Sequence, residues 1–292
     1  MEIILFSRPQ IAHTAAEIGQ IFDALRIFGL EYSVNEEFAS TVERLTGERV
    51  APERIYGQAV GKHPADAVMV CYGGDGTLLE GVHRLQGAPV PVMGINAGHL
   101  GFLTSAPSAG LDRIFAEIAA GGLDVEPRSM LRVEGDFAEQ PDSRLALNEF
   151  TVQRHGAGMI SVETYVDDQM VATYHGDGVI VSTPTGSTAY SLSAGGPVVA
   201  PACSCLVISP LAPHNLTMRP VVIPDTSVIS LRVHARRADA FVTLDNRTYS
   251  AAPGATFTVK CAETRIFLAV PHNISFYDTL RNKMMWGIDI RS

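Results

Sequence analysis

At 292 residues the chain has room for two domains of about 150 residues each. Hydrophobic residues make up 46% and charged residues 18%, below the roughly 25% of an average soluble chain, which excludes a disordered polyampholyte. The balance of 22 basic against 31 acidic residues gives a formal charge of -9, the wrong sign for a partner whose phosphates must be neutralised, so no nucleic-acid partner is expected. No apolar run approaches the 18 or so residues that span a bilayer, and Met1-Glu2 leads straight into Ile3 without a basic region or cleavage site. A soluble, cytoplasmic protein without a membrane partner is the expectation. Cys71, Cys203, Cys205 and Cys261 contain no Cys-x-x-Cys spacing and are read as reduced core thiols, and no protein metal site is expected.

In chain order, Ile3 to Phe6 reads as a strand, Ala12 to Phe28 as a helix with apolar residues at Ile18, Ile21, Phe22 and Leu25, and Leu30 to Val34 as a second strand. Ala67 to Tyr72 is a buried strand, Thr77 to Leu85 a helix, Val90 to Ile95 a strand and Ile114 to Ala119 a helix. Strands alternating with helices predict a doubly wound parallel sheet. Beyond Gly121-Gly122 the pattern becomes short alternating runs: Leu131 to Val133, Leu145 to Val152, Ile160 to Val166, Val179 to Val181, Val228 to Val233, Phe241 to Leu244 and Phe257 to Val259. These predict a β-sandwich. The expected organisation is an α/β domain over 1–125, a β-sandwich domain over 126–270, and a tail over 271–292.

The strongest local signal is Gly73-Gly74-Asp75-Gly76-Thr77, between a buried strand and a helix, where backbone N–H groups and the helix dipole make an anion site. Neither familiar phosphate motif fits. The dinucleotide fingerprint requires a small residue where Leu79 stands, and Gly61-Lys62 is followed by His63 rather than Ser or Thr. An aspartate inside a phosphate loop repels the ligand that the loop attracts, which a divalent cation or an acid/base role would resolve. The second constellation, Asp177 through Tyr190, offers hydroxyls, turn backbone and one aromatic ring, the mixture that a nucleoside pocket needs; a Ser/Thr-rich turn is the plainer reading.

These segments, together with Gly94 to Thr104, Asn148-Glu149, the stretch up to Pro197, Pro213-His214, Arg219 to Pro224 and Leu280 to Gly287, resemble the bacterial NAD kinase family in order and spacing. The Gly-Gly-Asp-Gly-Thr loop is also similar to that of diacylglycerol and sphingosine kinases. The resemblance implies an N-terminal α/β domain, a C-terminal β-sandwich domain and a tail returning to the first domain. It implies phosphorylation of the adenosine ribose 2′-hydroxyl of NAD by ATP with Mg²⁺, in a homodimer or homotetramer. By position, Asp75 resembles the catalytic acid/base and also a contact to NAD, as does Gly76. Gly73, Gly74, Gly76 and Thr77 resemble the ATP-phosphate loop, and Asn148, Glu149, Asp177, Thr185, Thr188, Ala189, Tyr190 and Ser193 the NAD-binding set.

The chain departs from the family pattern at two places: His175 stands where an arginine is usual, and Asp245-Asn246-Arg247 where an Asp-Gly-Gln turn is usual. His175 and Arg247 join the expected NAD contacts, with a titratable charge at one and a permanent charge at the other. The competing readings are a lipid kinase sharing the glycine loop and a non-catalytic nucleotide-binding regulator. A lipid kinase calls for a basic or apolar membrane-facing patch, and a regulator could have dispensed with Asp75.

Overall fold

A computed structural model describes residues 1–96, 101–104, 106–107, 110–235, 240–272 and 274–287. The chain divides into two compact units, Met1–Pro127 with Ile266–Ser292, and Arg128–Arg265.

In the first unit the buried runs become strands of one sheet, in the order Ile55–Tyr56, Glu31–Asn35, Glu2–Phe6, Val68–Tyr72, Pro91–Asn96, Ile266–Pro271, Leu123–Arg128, with Ala106–Pro107 also paired to Pro91–Asn96. The pairings from Ile55–Tyr56 across to Ile266–Pro271 are parallel. Residues 266–270, expected in the second domain, therefore serve the first sheet. The all-apolar Phe267-Leu268-Ala269-Val270 suits a position covered on both faces better than the half-solvated face of a sandwich. The helix Ala15–Ile27 is set by a capping box between Thr14 and Glu17 and buries Ile18, Ile21 and Leu25 against this sheet. From Glu2–Phe6 the sheet grows to one side through Glu31–Asn35 and to the other through Val68–Tyr72. The carboxyl ends of these two central strands therefore form a topological switch point, where open α/β sheets bind ligands.

The second unit is two six-stranded sheets. One runs Val221–Pro224, Cys205–Leu211, Gly178–Ser182, Glu149–Arg154, Ala240–Leu244, Arg247–Ala251; the other runs Gln169–Gly176, Ile160–Val166, Ile229–Ala235, Thr256–Cys261, Leu131–Gly135, Leu145–Ala146. Phe150, Val152, Val179, Val181, Leu231, Val233 and Phe257 form one buried core. The single strand expected over Leu145 to Val152 is two, Leu145–Ala146 and Glu149–Arg154, because the intervening backbone turns its N–H groups onto a side chain. Asp167 and Asp168 take φ of 50° and 64°, the two-residue turn that matches strand twist in a hairpin. All four cysteines are free, but only Cys71 is buried; Cys203 is exposed in a turn, so the core-thiol expectation fails there. Among the described residues no helix is long and apolar enough to cross a membrane.

Candidate functional site

Asp75 opens the helix Asp75–Arg84, with Gly74 as its N-cap. Gly73 has φ of 156°, and a Cβ there would collide with Thr77 Oγ1. The loop can thus fold onto its own helix only with glycine at that position. First-turn amides of a helix lack intrahelical partners, and here they and the macrodipole face the switch point.

The Asp75 carboxylate is held by the segment 101–104. Its Oδ2 accepts the Phe102 N–H at 2.9 Å; its Oδ1 accepts the Leu103 N–H at 3.1 Å and both the N–H and the hydroxyl of Thr104 at 3.0 Å. A Cβ on Gly101 would strike Asp75 Oδ1, so glycine is required for that close wrap. Ala97 to Leu100, part of the segment matched from sequence, lie outside the described residues. Sequence reasoning missed Lys283. It sits in the last turn of the helix Phe276–Met284, with Nζ 3.8 Å from Asp75 Oδ2 and 4.6 Å above the Phe102 ring. The only available signal was its place inside the matched tail.

In the second unit the organising group is Asp245, in the hairpin turn after Ala240–Leu244. Its carboxylate accepts the N–H groups of Leu147 at 2.8 Å, Asn148 at 2.7 Å and Glu149 at 3.1 Å. Burial pushes its carboxyl above the ordinary range. Burial pushes the Glu149 carboxyl to about 8, the nearby Asp245 charge adds to this, and the Tyr190 backbone N–H opposes it. Glu149 is therefore protonated at neutral pH, as a low-dielectric site with a carboxylate neighbour requires.

Thr185 to Thr188 make one turn of 3₁₀ helix and Tyr190 to Ser193 one turn of α-helix. The Thr183 N–H bonds the Asn148 carbonyl at 2.9 Å and its hydroxyl bonds that of Leu147 at 2.6 Å, which brings this loop against Asn148-Glu149. Four buried atoms there have no partner: Asn148 Oδ1, Glu149 Oε2, Ser182 Oγ and Thr185 Oγ1. Unsatisfied buried polar atoms are rare and each costs about 1 to 3 kcal/mol, so four together call for a polar ligand. Thr188 and Ala189 are half-buried, Ser193 is exposed, and Tyr190 leaves 41% of its surface open.

Three expected residues are engaged elsewhere. Asp177 pairs with Arg154 at 2.5 Å. His175 is exposed on the strand Gln169–Gly176, its Nδ1 2.7 Å from Ser161 Oγ. Arg247 donates to the carbonyls of Ser143 at 2.9 Å and Leu145 at 2.5 Å, bracing the chain that leads into Asn148.

A family model described as the ATP-NAD kinase N-terminal domain matches residues 21–123, and one described as the ATP-NAD kinase C-terminal domain matches 147–268. The NAD kinase of Christiangramia forsetii is 35% identical over the whole of both chains. The chain belongs to the NAD kinase family. Membership in this family sets the lipid-kinase reading aside. The NAD kinase of Porphyromonas gingivalis is 40% identical across 76% of this chain and 77% of its own. Among solved structures, a yeast NADH kinase complexed with NADH has a TM-score of 0.85 at 20% identity, covering all of this chain and 89% of that one. An Archaeoglobus fulgidus NAD kinase in complex with ATP has a TM-score of 0.73 at 26% identity over 98% of each chain.

Proposed function

We propose that the protein transfers the γ-phosphoryl group of ATP to the 2′-hydroxyl of the adenosine ribose of NAD, giving NADP and ADP. The observation that carries this reading is Asp75, a carboxylate held by four donors at the head of a glycine-loop helix. The relatives named NAD kinase and the solved relative in complex with ATP support it.

Gly73, Gly74, Gly76 and Thr77 receive the phosphates of ATP on the helix N-terminus. Asp75 Oδ1 already accepts three hydrogen bonds and Oδ2 only one, so the ribose hydroxyl docks on Oδ2. In a loose transition state the hydroxyl loses its proton late. Asp75 first aims the oxygen at the γ-phosphorus. The O2′–P bond then forms as the bond from phosphorus to the bridging oxygen breaks, the proton passes to Oδ2, and ADP departs. Lys283 supplies a positive charge beside the reacting group.

Mg²⁺ arrives with ATP, as part of that substrate. Among the described residues no cluster of three His, Cys, Asp or Glu could hold a metal ion.

On the NAD side, Asn148, Glu149 and Thr185 satisfy their orphaned atoms on the adenosine, with Glu149 as a neutral acid able to donate. Tyr190 offers its open face to a base, with Thr188, Ala189 and Ser193 lining the same loop. Asp177 and His175 serve the remainder of NAD, and Arg247 acts by bracing Asn148. We assign the assembly as a homodimer or homotetramer and the compartment as the cytoplasm.

Incubating the pure protein with NAD, ATP and Mg²⁺ and reading NADP with an NADP-specific dehydrogenase tests the reading. NADP formed in proportion to enzyme supports it, and no NADP from protein that still binds ATP overturns it.

A further inference from the structure

We propose that Arg8 is a phosphate-binding residue whose guanidinium closes over the Gly73–Thr77 loop and grips the phosphate chain of the donor nucleotide. The proposal rests on the reading of that loop as the transfer site. Arg8 follows the central strand Glu2–Phe6 by two residues and so leaves the sheet at the switch point, beside the strand that feeds the loop. Its backbone is fixed on both sides. The Ser7 hydroxyl donates to the carbonyl of Tyr72, the residue just before Gly73, at 2.7 Å, and the Arg8 carbonyl accepts the Ile11 N–H at 3.2 Å.

The side chain lies across the loop: a Cβ built on Gly76 would be 3.4 Å from an Arg8 terminal nitrogen and 3.9 Å from its guanidinium carbon. The guanidinium thus lies within van der Waals reach of the first turn of the helix, where its charge adds to that of the free amides. Arg8 Nε is buried and has no hydrogen-bond partner, and among the described residues no carboxylate pairs with this side chain. Two other arginines differ in having carboxylate partners, although Arg84 Nε is likewise buried without a hydrogen bond of its own. Arg84 lies within reach of Glu37 and Glu80, and Arg154 pairs with Asp177. A permanent cation, partly buried and unpaired beside a phosphate loop, matches the planar two-pronged geometry of a phosphate ester.

The test compares Arg8→Gln and Arg8→Lys with the parent protein in steady-state kinetics, with equilibrium binding of a non-hydrolysable ATP analogue and of NAD. Arg8→Gln should raise KM for ATP and the analogue Kd about 10- to 100-fold, from the 1.5 to 3 kcal/mol of a charged hydrogen bond, while the NAD Kd stays put. Arg8→Lys should recover part of this through charge without the fork. Inhibition by inorganic tripolyphosphate should weaken by the same factor as ATP binding, since the contact is to phosphate and not to adenosine. Unchanged analogue affinity in Arg8→Gln overturns the proposal, as does equal weakening toward ATP and NAD with an early melt in both variants. If the parent protein makes no NADP, the transfer reading falls instead, and the analogue titration still decides on Arg8.

Discussion

The candidate sites of the two units are built on opposite principles. The Asp75 carboxylate finds its donors within the protein: four hydrogen bonds and an approaching lysine hold it, and glycine at 101 lets the backbone close on it. Around Asn148-Glu149 a carboxylate again collects backbone amides, yet four polar atoms beside it are buried and unmet. The Asp75 carboxylate itself is fixed without ligand, as suits a group that must hold a nucleophile in line with little further reorganisation. The second keeps unmet hydrogen-bonding capacity that a nucleoside's edge can fill, so recognition there stabilises the protein.

The largest break in this contrast is Asp75→Asn, which keeps the shape but cannot take the proton. Turnover should fall about 10²- to 10⁴-fold while the NAD dissociation constant holds or improves. Near-normal kcat would remove Asp75 from proton transfer. Asp245→Ala attacks the other half by leaving the amides of Leu147, Asn148 and Glu149 without their acceptor. Stability to urea should drop by about 3 kcal/mol, and a loss under about 1 kcal/mol would mean that the turn holds itself.

Tyr190→Ala should weaken NAD binding by about 1 to 3 kcal/mol if its open ring carries a base, with Asp75-dependent chemistry intact at saturating NAD; an unchanged Kd would exclude stacking. The finest test is Glu149→Gln. The Glu149 carboxyl titrates near 8 when folded against an ordinary 4.5, so between those values the unfolded chain releases a proton that the folded one retains. Stability from this group is present below about pH 4.5 and lost progressively up to about pH 8. The neutral isostere lacks that slope. Its melting temperature should match the parent near pH 4.5 and exceed it most at pH 8 and above, while NAD affinity falls. Parallel melting curves across that range would leave Glu149 ionised and the pocket less dry than described.

Elements whose signals are local were legible in the sequence. Val68–Tyr72 with its glycine loop and the helix beyond are continuous along the chain, and apolar period and loop composition suffice for them. What escaped depends on contacts between distant positions. The four donors on Asp75 come from residues 27 to 29 positions away, and nothing in Phe102-Leu103-Thr104 advertises that their amides point at a carboxylate. Lys283 reads as one more charge on the polar face of a helix. Asp245 reads as a turn residue, which it is, while its side chain also breaks a strand a hundred residues earlier. Ile266–Pro271 has a clear apolar run, but neither periodicity nor composition says which sheet it joins.

That last strand sets an order in time. During synthesis the glycine loop leaves the ribosome nearly two hundred residues ahead of Ile266–Pro271, and some two hundred ahead of Lys283. The parallel sheet of the first unit stays open between Pro91–Asn96 and Leu123–Arg128 until the whole sandwich sequence has been made. Non-local parallel pairing is slow to form. A nascent chain can therefore fold its second unit while the first waits, and the growing polypeptide carries Asp75 without the lysine beside it until the helix Phe276–Met284 has followed the sandwich out.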